Sequence, residues 1–300
     1  MSLQPTAAPA DLDGYWSAVM DELAALPVAA ELTVNPLRST EFATLYDLKL
    51  TSVGPYRIHA FFSIPTGDGP FPALLLTGGY GSVVHIASYE ERQQFVTVSL
   101  RARGKRLSDV PHAAAFPGML TDGIDDPARY VFRGVVADCC RAIDFLLTRP
   151  EVDTGKIAVV GDDMALLTAA LRPQVDAVYA TPTLFYGASQ LAPTTDAYPL
   201  EELNDYARTY PDQAAAMWRT LSYFDPIHQA AKVKAATVLV TGNDQDLFSP
   251  AAVAPLVAAF GRDVEEYVSA HSSYKDGVRQ ATWLAQRYAL GEPVLPPHWR

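Results

Sequence analysis

Cysteine is almost missing from this chain. Among 300 residues there are two, and they are neighbours, Cys139 and Cys140. Adjacent thiols in a helical stretch neither staple distant segments nor build a metal site, so core packing is their expected role. The shortage points to a reducing compartment and a cytoplasmic location. No run of 18 or more apolar residues occurs, which excludes a membrane-spanning helix. The N-terminus has no basic segment followed by an apolar run, so no signal peptide is expected. Positive charge is also short: 23 Lys and Arg against 34 Asp and Glu leave a net charge of −11. That balance argues against nucleic acid and anionic membrane surfaces as partners. No internal repeat or low-complexity tract breaks the chain.

What the chain does have is apolar material, 49% of its residues, enough for a large core. The spacing of Trp16, Val19, Met20 and Leu23 predicts a helix over Asp11 to Leu26. Alternation through 43–65 predicts two antiparallel strands joined at Ser52-Val53-Gly54-Pro55. Beyond them, predicted strands alternate with helical stretches. Phe71 to Thr77 is a continuous apolar run, and the strands that follow are Phe95 to Leu100, Ile157 to Val160, Val175 to Ala180, Ala236 to Thr241 and Val264 to Val268. Such a pattern predicts a mostly parallel sheet with helices on both faces. The expected organisation is a helical extension over 1–40, one α/β domain over 41–292 and a Pro-rich tail over 293–300. Within the domain, the aromatic, helical segment 183–233 is expected to lie over the site.

In such a sheet ligands bind beyond the carboxyl ends of the strands. Four polar loops fall there: Gly78–Ser82, the turn after Val160, Gly242–Ser249 and Ser269–Ser273. The second is Gly161-Asp162-Asp163-Met164-Ala165, a strand–turn–helix junction with the layout of a nucleophile elbow, Gly-x-Ser-x-Gly. Its tip residue is Asp163, a carboxylate that can serve as nucleophile in other enzymes. The other reading of the junction is an ordinary helix start capped by Asp162 or Asp163. An acid and a histidine follow in the order used by α/β-hydrolases, Asp246 or Asp244 and then His271. Asp246 is the preferred acid because it sits closer to the helix that begins near Pro250. His59, His85, His112, His228 and His298 lack such a setting. Tyr80 after Gly78-Gly79, together with Met164, is placed to offer backbone N–H groups as an oxyanion hole. The glycines of 78–81 carry no following Lys-Ser or Lys-Thr, which argues against a phosphate loop.

From about Phe42 to Gly277 the chain resembles the acetyl xylan esterase and cephalosporin-C deacetylase group of α/β-hydrolases. The pieces that carry the resemblance are Gly79-Tyr80-Gly81, Arg103-Gly104, Tyr130 with Arg133, Asp138 with Arg141-Ala142, and Pro150-Glu151-Val152-Asp153. Further on come Tyr198-Pro199-Leu200 with Tyr206, and Thr220-Leu221-Ser222-Tyr223-Phe224-Asp225. The resemblance implies an α/β-hydrolase fold, deacetylation of small acetylated sugars or similar esters, no cofactor and no metal, and a ring-like homo-oligomer. By position it puts the nucleophile at Asp163, the acid at Asp246 and the base at His271. Three motifs depart from the family. Gly-x-Ser-Gln-Gly is here Gly161-Asp-Asp-Met-Ala165, Arg-Gly-Gln is Arg103-Gly104-Lys105, and His-Glu is His271-Ser272.

Three functions follow from these residues. In the first the protein hydrolyses a small-molecule ester or related bond through Asp163, His271 and Asp246. The elbow is also similar to that of haloalkane dehalogenases and epoxide hydrolases, where Asp attacks a saturated carbon. Trp218 would then serve a leaving halide, and Tyr186 or Tyr206 an epoxide oxygen, although packing alone accounts for such aromatics. In the second Asp163 is a general acid or base. In the third the chain is a catalytically inactive binder of small molecules.

Overall fold

The computed structural model describes residues 3–81, 84–110 and 114–299. Ser82 of the first polar loop and His112 lie outside the described residues. The strands are β1 (Glu31–Val34), β2 (Ala43–Ser52), β3 (Tyr56–Pro65), β4 (Phe71–Leu76), β5 (Val96–Arg101), β6 (Val152–Gly161), β7 (Ala177–Ala180), β8 (Ala236–Thr241) and β9 (Glu265–Val268). The α-helices are α1 (Leu12–Ala25), α2 (Tyr89–Gln94), α3 (Val131–Leu146), α4 (Asp163–Leu171), α5 (Ala188–Leu191), α6 (Glu201–Thr209), α7 (Ala214–Ser222), α8 (Pro250–Ala259) and α9 (Ser273–Tyr288).

The strands form one sheet in the order β1-β2-β3-β5-β4-β6-β7-β8-β9. The first three run antiparallel along one edge, and β3 meets β5 antiparallel. From β5 to β9 every pairing is parallel. This is the α/β-hydrolase fold. Side-chain alternation explains why both faces are covered. Leu75, Val159, Val178 and Leu239 point into the large core shared with α1, α3, α4 and α8. Their chain neighbours Leu74, Ala158 and Ala177 point the other way, against Leu284 and Tyr288 of α9. Cys139 and Cys140 are buried free thiols on α3, and burial pushes the Cys140 thiol up to about 12.

Two departures from the sequence expectation concern the N-terminal part. Residues 1–40 are not purely helical, because Glu31–Val34 adds an edge strand to the sheet. All four of its residues are exposed, so it carries no apolar alternation to read. Nor does α1 stand apart: Trp16 is buried in the main core, and its indole N–H donates to the Tyr223 carbonyl at 3.0 Å. The short helix α2 also went unread. A capping box starts it, with Ser88 and Glu91 each bonding the other's backbone N–H.

Most residues that carry the family resemblance fasten this frame. The buried Asp138 carboxylate accepts the Arg103 backbone N–H at 2.9 Å, its Nε–H at 3.1 Å and its Nη2–H at 2.7 Å. Arg133 pairs with Glu22 of α1 at 2.6 Å. Arg141 donates to the Leu23 and Leu26 carbonyls and so closes the C-terminal end of α1.

Candidate active site

The loops after β6, β7, β8 and β9 open at one end of the sheet, and two of them bring the predicted base and acid together. His271 Nε2 lies 2.7 Å from Asp246 Oδ2 and 3.1 Å from Asn243 Nδ2. With Nε2–H donated to Asp246, the Asn243 NH2 makes no hydrogen bond to that nitrogen, and Nδ1 is the ring nitrogen left to accept a proton. Asp244, by contrast, is exposed and has no described contact with the ring. Gly242 makes the acid's position possible, because a Cβ there would meet the Asp246 Cβ at 2.3 Å. The pair is open to solvent, with 55% of the His271 side chain and 36% of the Asp246 side chain exposed.

The backbone of His271 is left-handed, with φ +50, a conformation that a non-glycine residue holds only when its surroundings impose it. Those surroundings centre on Asp276, in the first turn of α9. Its carboxylate accepts the Tyr267 hydroxyl at 2.7 Å, the Ser269 hydroxyl at 2.8 Å, the Ala270 N–H at 2.8 Å and the Ser272 N–H at 3.1 Å. Ser269 Oγ in turn accepts the His271 N–H at 3.0 Å. Burial alone would raise the Asp276 pKa, but these donors outweigh it and hold the carboxyl below its usual range. Sequence reasoning missed Asp276. The signal was a lone Asp five residues past the histidine, with no motif around it.

Asp163 is placed differently from the sequence expectation. It is the first residue of α4, has no exposed surface, and is absent from the residues with positive φ. The strained, projecting elbow therefore does not form around it. Its Oδ2 accepts the N–H groups of Thr183 at 2.8 Å and Leu184 at 2.7 Å, and its Oδ1 accepts that of Tyr186 at 3.0 Å. The carboxylate thus holds the turn after β7, and no described hydrogen bond or ion pair links it to His271. Burial raises its pKa against the pull of the three amides. Gly161 serves close packing, since a Cβ there would meet Thr77 Oγ1 at 1.9 Å.

The neighbouring Asp162 caps α4, accepting the Met164 N–H at 2.9 Å. That bond occupies the amide expected in an oxyanion hole. Burial and then the nearby Asp163 push the Asp162 carboxyl up to about 7, partly offset by the Met164 N–H and by Lys105. Lys105 is itself buried and donates to the Gly79 carbonyl at 2.5 Å. Because the peptide is planar and trans, the Tyr80 N–H points to the opposite side from that carbonyl. The Tyr80 hydroxyl donates to Glu202 at 2.6 Å.

A cavity of about 590 Å³ opens beside His271 and Asp246, over the ends of β7 and β8. Tyr186, Tyr206 and Trp218 are not part of its wall, against the sequence expectation. Tyr186 is core, its hydroxyl donating to the Ala252 carbonyl at 2.7 Å. Tyr206 is tied to Gln213 and meets the Tyr210 ring at a tilt, while Trp218 borders two other hollows. Their residue type gave no means of telling a packed ring from a lining one.

The sequence profile of the family "Acetyl xylan esterase (AXE1)" matches residues 4–270. The chain belongs to this family of esterase-like α/β-hydrolases. Acetyl esterase Axe7A of Xylanibacter ruminicola is 24% identical over 259 residues, a match covering 81% of this chain and 58% of that relative. The acetyl xylan esterase from Paenibacillus sp. R4 superposes with a TM-score of 0.82 at 21% identity, covering 95% of this chain and 97% of that one. Acetyl xylan esterase 1 from Thermoanaerobacterium sp. JW/SL YS485 gives 0.79 at 21% identity, with 96% of each chain covered. At that identity the two structures speak for the fold. Among the described residues no helix is long and apolar enough to cross a membrane.

Proposed function

We propose that this protein hydrolyses a small-molecule ester by letting His271, oriented by Asp246, activate water directly. The observation that carries this reading is the 2.7 Å His271–Asp246 contact at the mouth of the 590 Å³ cavity. Asp246 accepts Nε2–H, fixes the tautomer and stabilises the imidazolium that forms. Nδ1 takes a proton from a water as the water oxygen attacks the ester carbonyl carbon. The tetrahedral intermediate then collapses, the carbon–oxygen bond to the alcohol breaks, and the imidazolium returns the proton to the leaving alcohol. The oxyanion donor expected from the sequence, the Tyr80 N–H, is turned away from Lys105 but is not part of the cavity wall.

Attack by Asp163 is the competing route, on an ester, a carbon–halogen bond or an epoxide. It requires the carboxylate to leave three amide donors at 2.7–3.0 Å and a fully buried position, which is why water is preferred as the nucleophile. A single turnover in heavy-oxygen water with enzyme in excess separates the two. Direct attack puts the label in the acid product and leaves the Asp163 peptide unlabelled. Label appearing first in the Asp163 peptide would overturn this mechanism in favour of a covalent one. A wild-type protein that binds esters without turnover would instead favour the inactive binder.

A further inference from the structure

We infer that the substrate is an ester with an apolar chain or ring, rather than an acetylated sugar. This deepens the preceding reading and rests on it for the position of the ester group. About 590 Å³ is a volume that suits a drug-sized ligand and far exceeds an acetyl group. Its wall is largely apolar, with Pro182, Pro199, Leu200, Val240, Leu247 and Phe248 prominent.

Several polar groups at the cavity are committed elsewhere. Asp276 already accepts four hydrogen bonds, and the Thr183 N–H is given to Asp163. The hydroxyls of Tyr179 and Thr241 have no partner among the described residues, yet both are sealed from solvent, so neither offers surface to a ligand. What remains for a ligand lies at His271 with Asp246, at Thr181 and Gln280, and at the Thr183 and Tyr198 side chains, fewer groups than a sugar's hydroxyls require. A sugar presents a hydroxyl on nearly every ring carbon, and each one set against that wall would lose water without replacement. A hydrocarbon part loses nothing there, and each methylene it buries strengthens binding roughly fourfold.

Ala197 offers a way to test the assignment, because it is exposed and borders the cavity. We would measure kcat/KM for 4-nitrophenyl acetate, butyrate and hexanoate and for an acetylated xylose. A second series reads binding without turnover: competition by methyl ketones of increasing chain length, with thermal shifts on His271→Asn protein. The expected result is a rise of at least tenfold in kcat/KM from acetate to hexanoate, with ketone affinity rising in parallel. Ala197→Trp, checked for an unchanged melting temperature, should lower hexanoate turnover more than acetate turnover. Should that variant not fold, the ketone series decides alone. Equal rates along the series, or preference for the acetylated sugar, would overturn the inference and leave His271 as base. Chain-length-dependent ketone binding with no hydrolysis would overturn the catalytic reading and keep the inference. Neither binding nor hydrolysis would overturn both.

Discussion

The two carboxylate-bearing loops at this end of the sheet use the same residue type for opposite purposes. After β6, Asp163 is buried, ordinary in backbone and satisfied by three amides. After β8, Asp246 is part-exposed and reaches a histidine whose backbone is left-handed. A buried carboxylate held by three backbone amides is a fastener. An accessible one beside an imidazole with a free nitrogen is a reagent. Strain and exposure are why the proposed chemistry is placed at the second loop, although the sequence resemblance points to the first for the nucleophile.

The sharpest way to break this contrast is at His271. His271→Asn should lower ester turnover by about 10²- to 10⁴-fold, the range for loss of a general base, with the fold intact by circular dichroism. Asp246→Asn should follow it part of the way by upsetting the tautomer, while Asp244→Asn should leave the rate near wild type. Equal losses at the two acids would remove Asp246 from its role.

Asp163→Ala should act on stability first. It strands the N–H groups of Thr183, Leu184 and Tyr186, for a cost of about 3 kcal/mol. Denaturant titration would read this as a lower midpoint with an unchanged slope. A variant as stable as wild type but devoid of turnover would return Asp163 to the chemistry. Asp163→Ser should not yield an active serine esterase, because its backbone is helical instead of projecting.

Asp276→Asn tests whether the His271 loop is held by its carboxylate. One oxygen of the amide cannot accept four donors, so the loop should shift and kcat should fall roughly ten- to hundredfold. KM should stay near wild type, since the apolar wall of the cavity is unchanged. A purely structural residue would lower the melting temperature and leave kcat of the folded protein unchanged.

The last test concerns Asp162 and is read through pH. Its carboxyl titrates near 7 in the folded chain against an ordinary value of 3.8. The folded state therefore binds more protons than the unfolded one between those values, and stability falls as pH rises through that window. Asp162→Asn keeps the cap on Met164 but removes the titration. The variant should gain melting temperature over wild type at pH 8 and gain little at pH 4. A constant difference between the two proteins across that range would remove Asp162 as the titrating group.

Much of this was legible in the chain. Continuous apolar runs of four to eight residues separated by helical stretches demand a parallel sheet with two covered faces, because strands buried on both sides have no polar face to show. The order of an acid and then a histidine after late strands marked the His271 loop. The quoted family residues were legible for a less direct reason: many of them are buried clamps such as Arg103 with Asp138 and Arg141 on α1, and they report fold more than chemistry. The edge strand Glu31–Val34 was illegible because an exposed strand carries no hydrophobic period. Asp276 was illegible because four donors converge on it through folding and not through spacing.

By itself, then, the sequence determined the layers of this protein, the strand ends at which a site could lie, and the histidine that would occupy one of them. Periodicity and burial fix those locally, since a side chain's face follows from its place in a helix or strand. Tertiary structure alone decided what each carboxylate faces. Asp162, Asp163, Asp244 and Asp246 are chemically alike, and only the approach of distant segments sorts them: the 183–186 turn takes up Asp163, the Met164 amide takes up Asp162, solvent surrounds Asp244, and the His271 ring meets Asp246. A carboxylate's role is set by what its oxygens face, and that is a property of the folded chain.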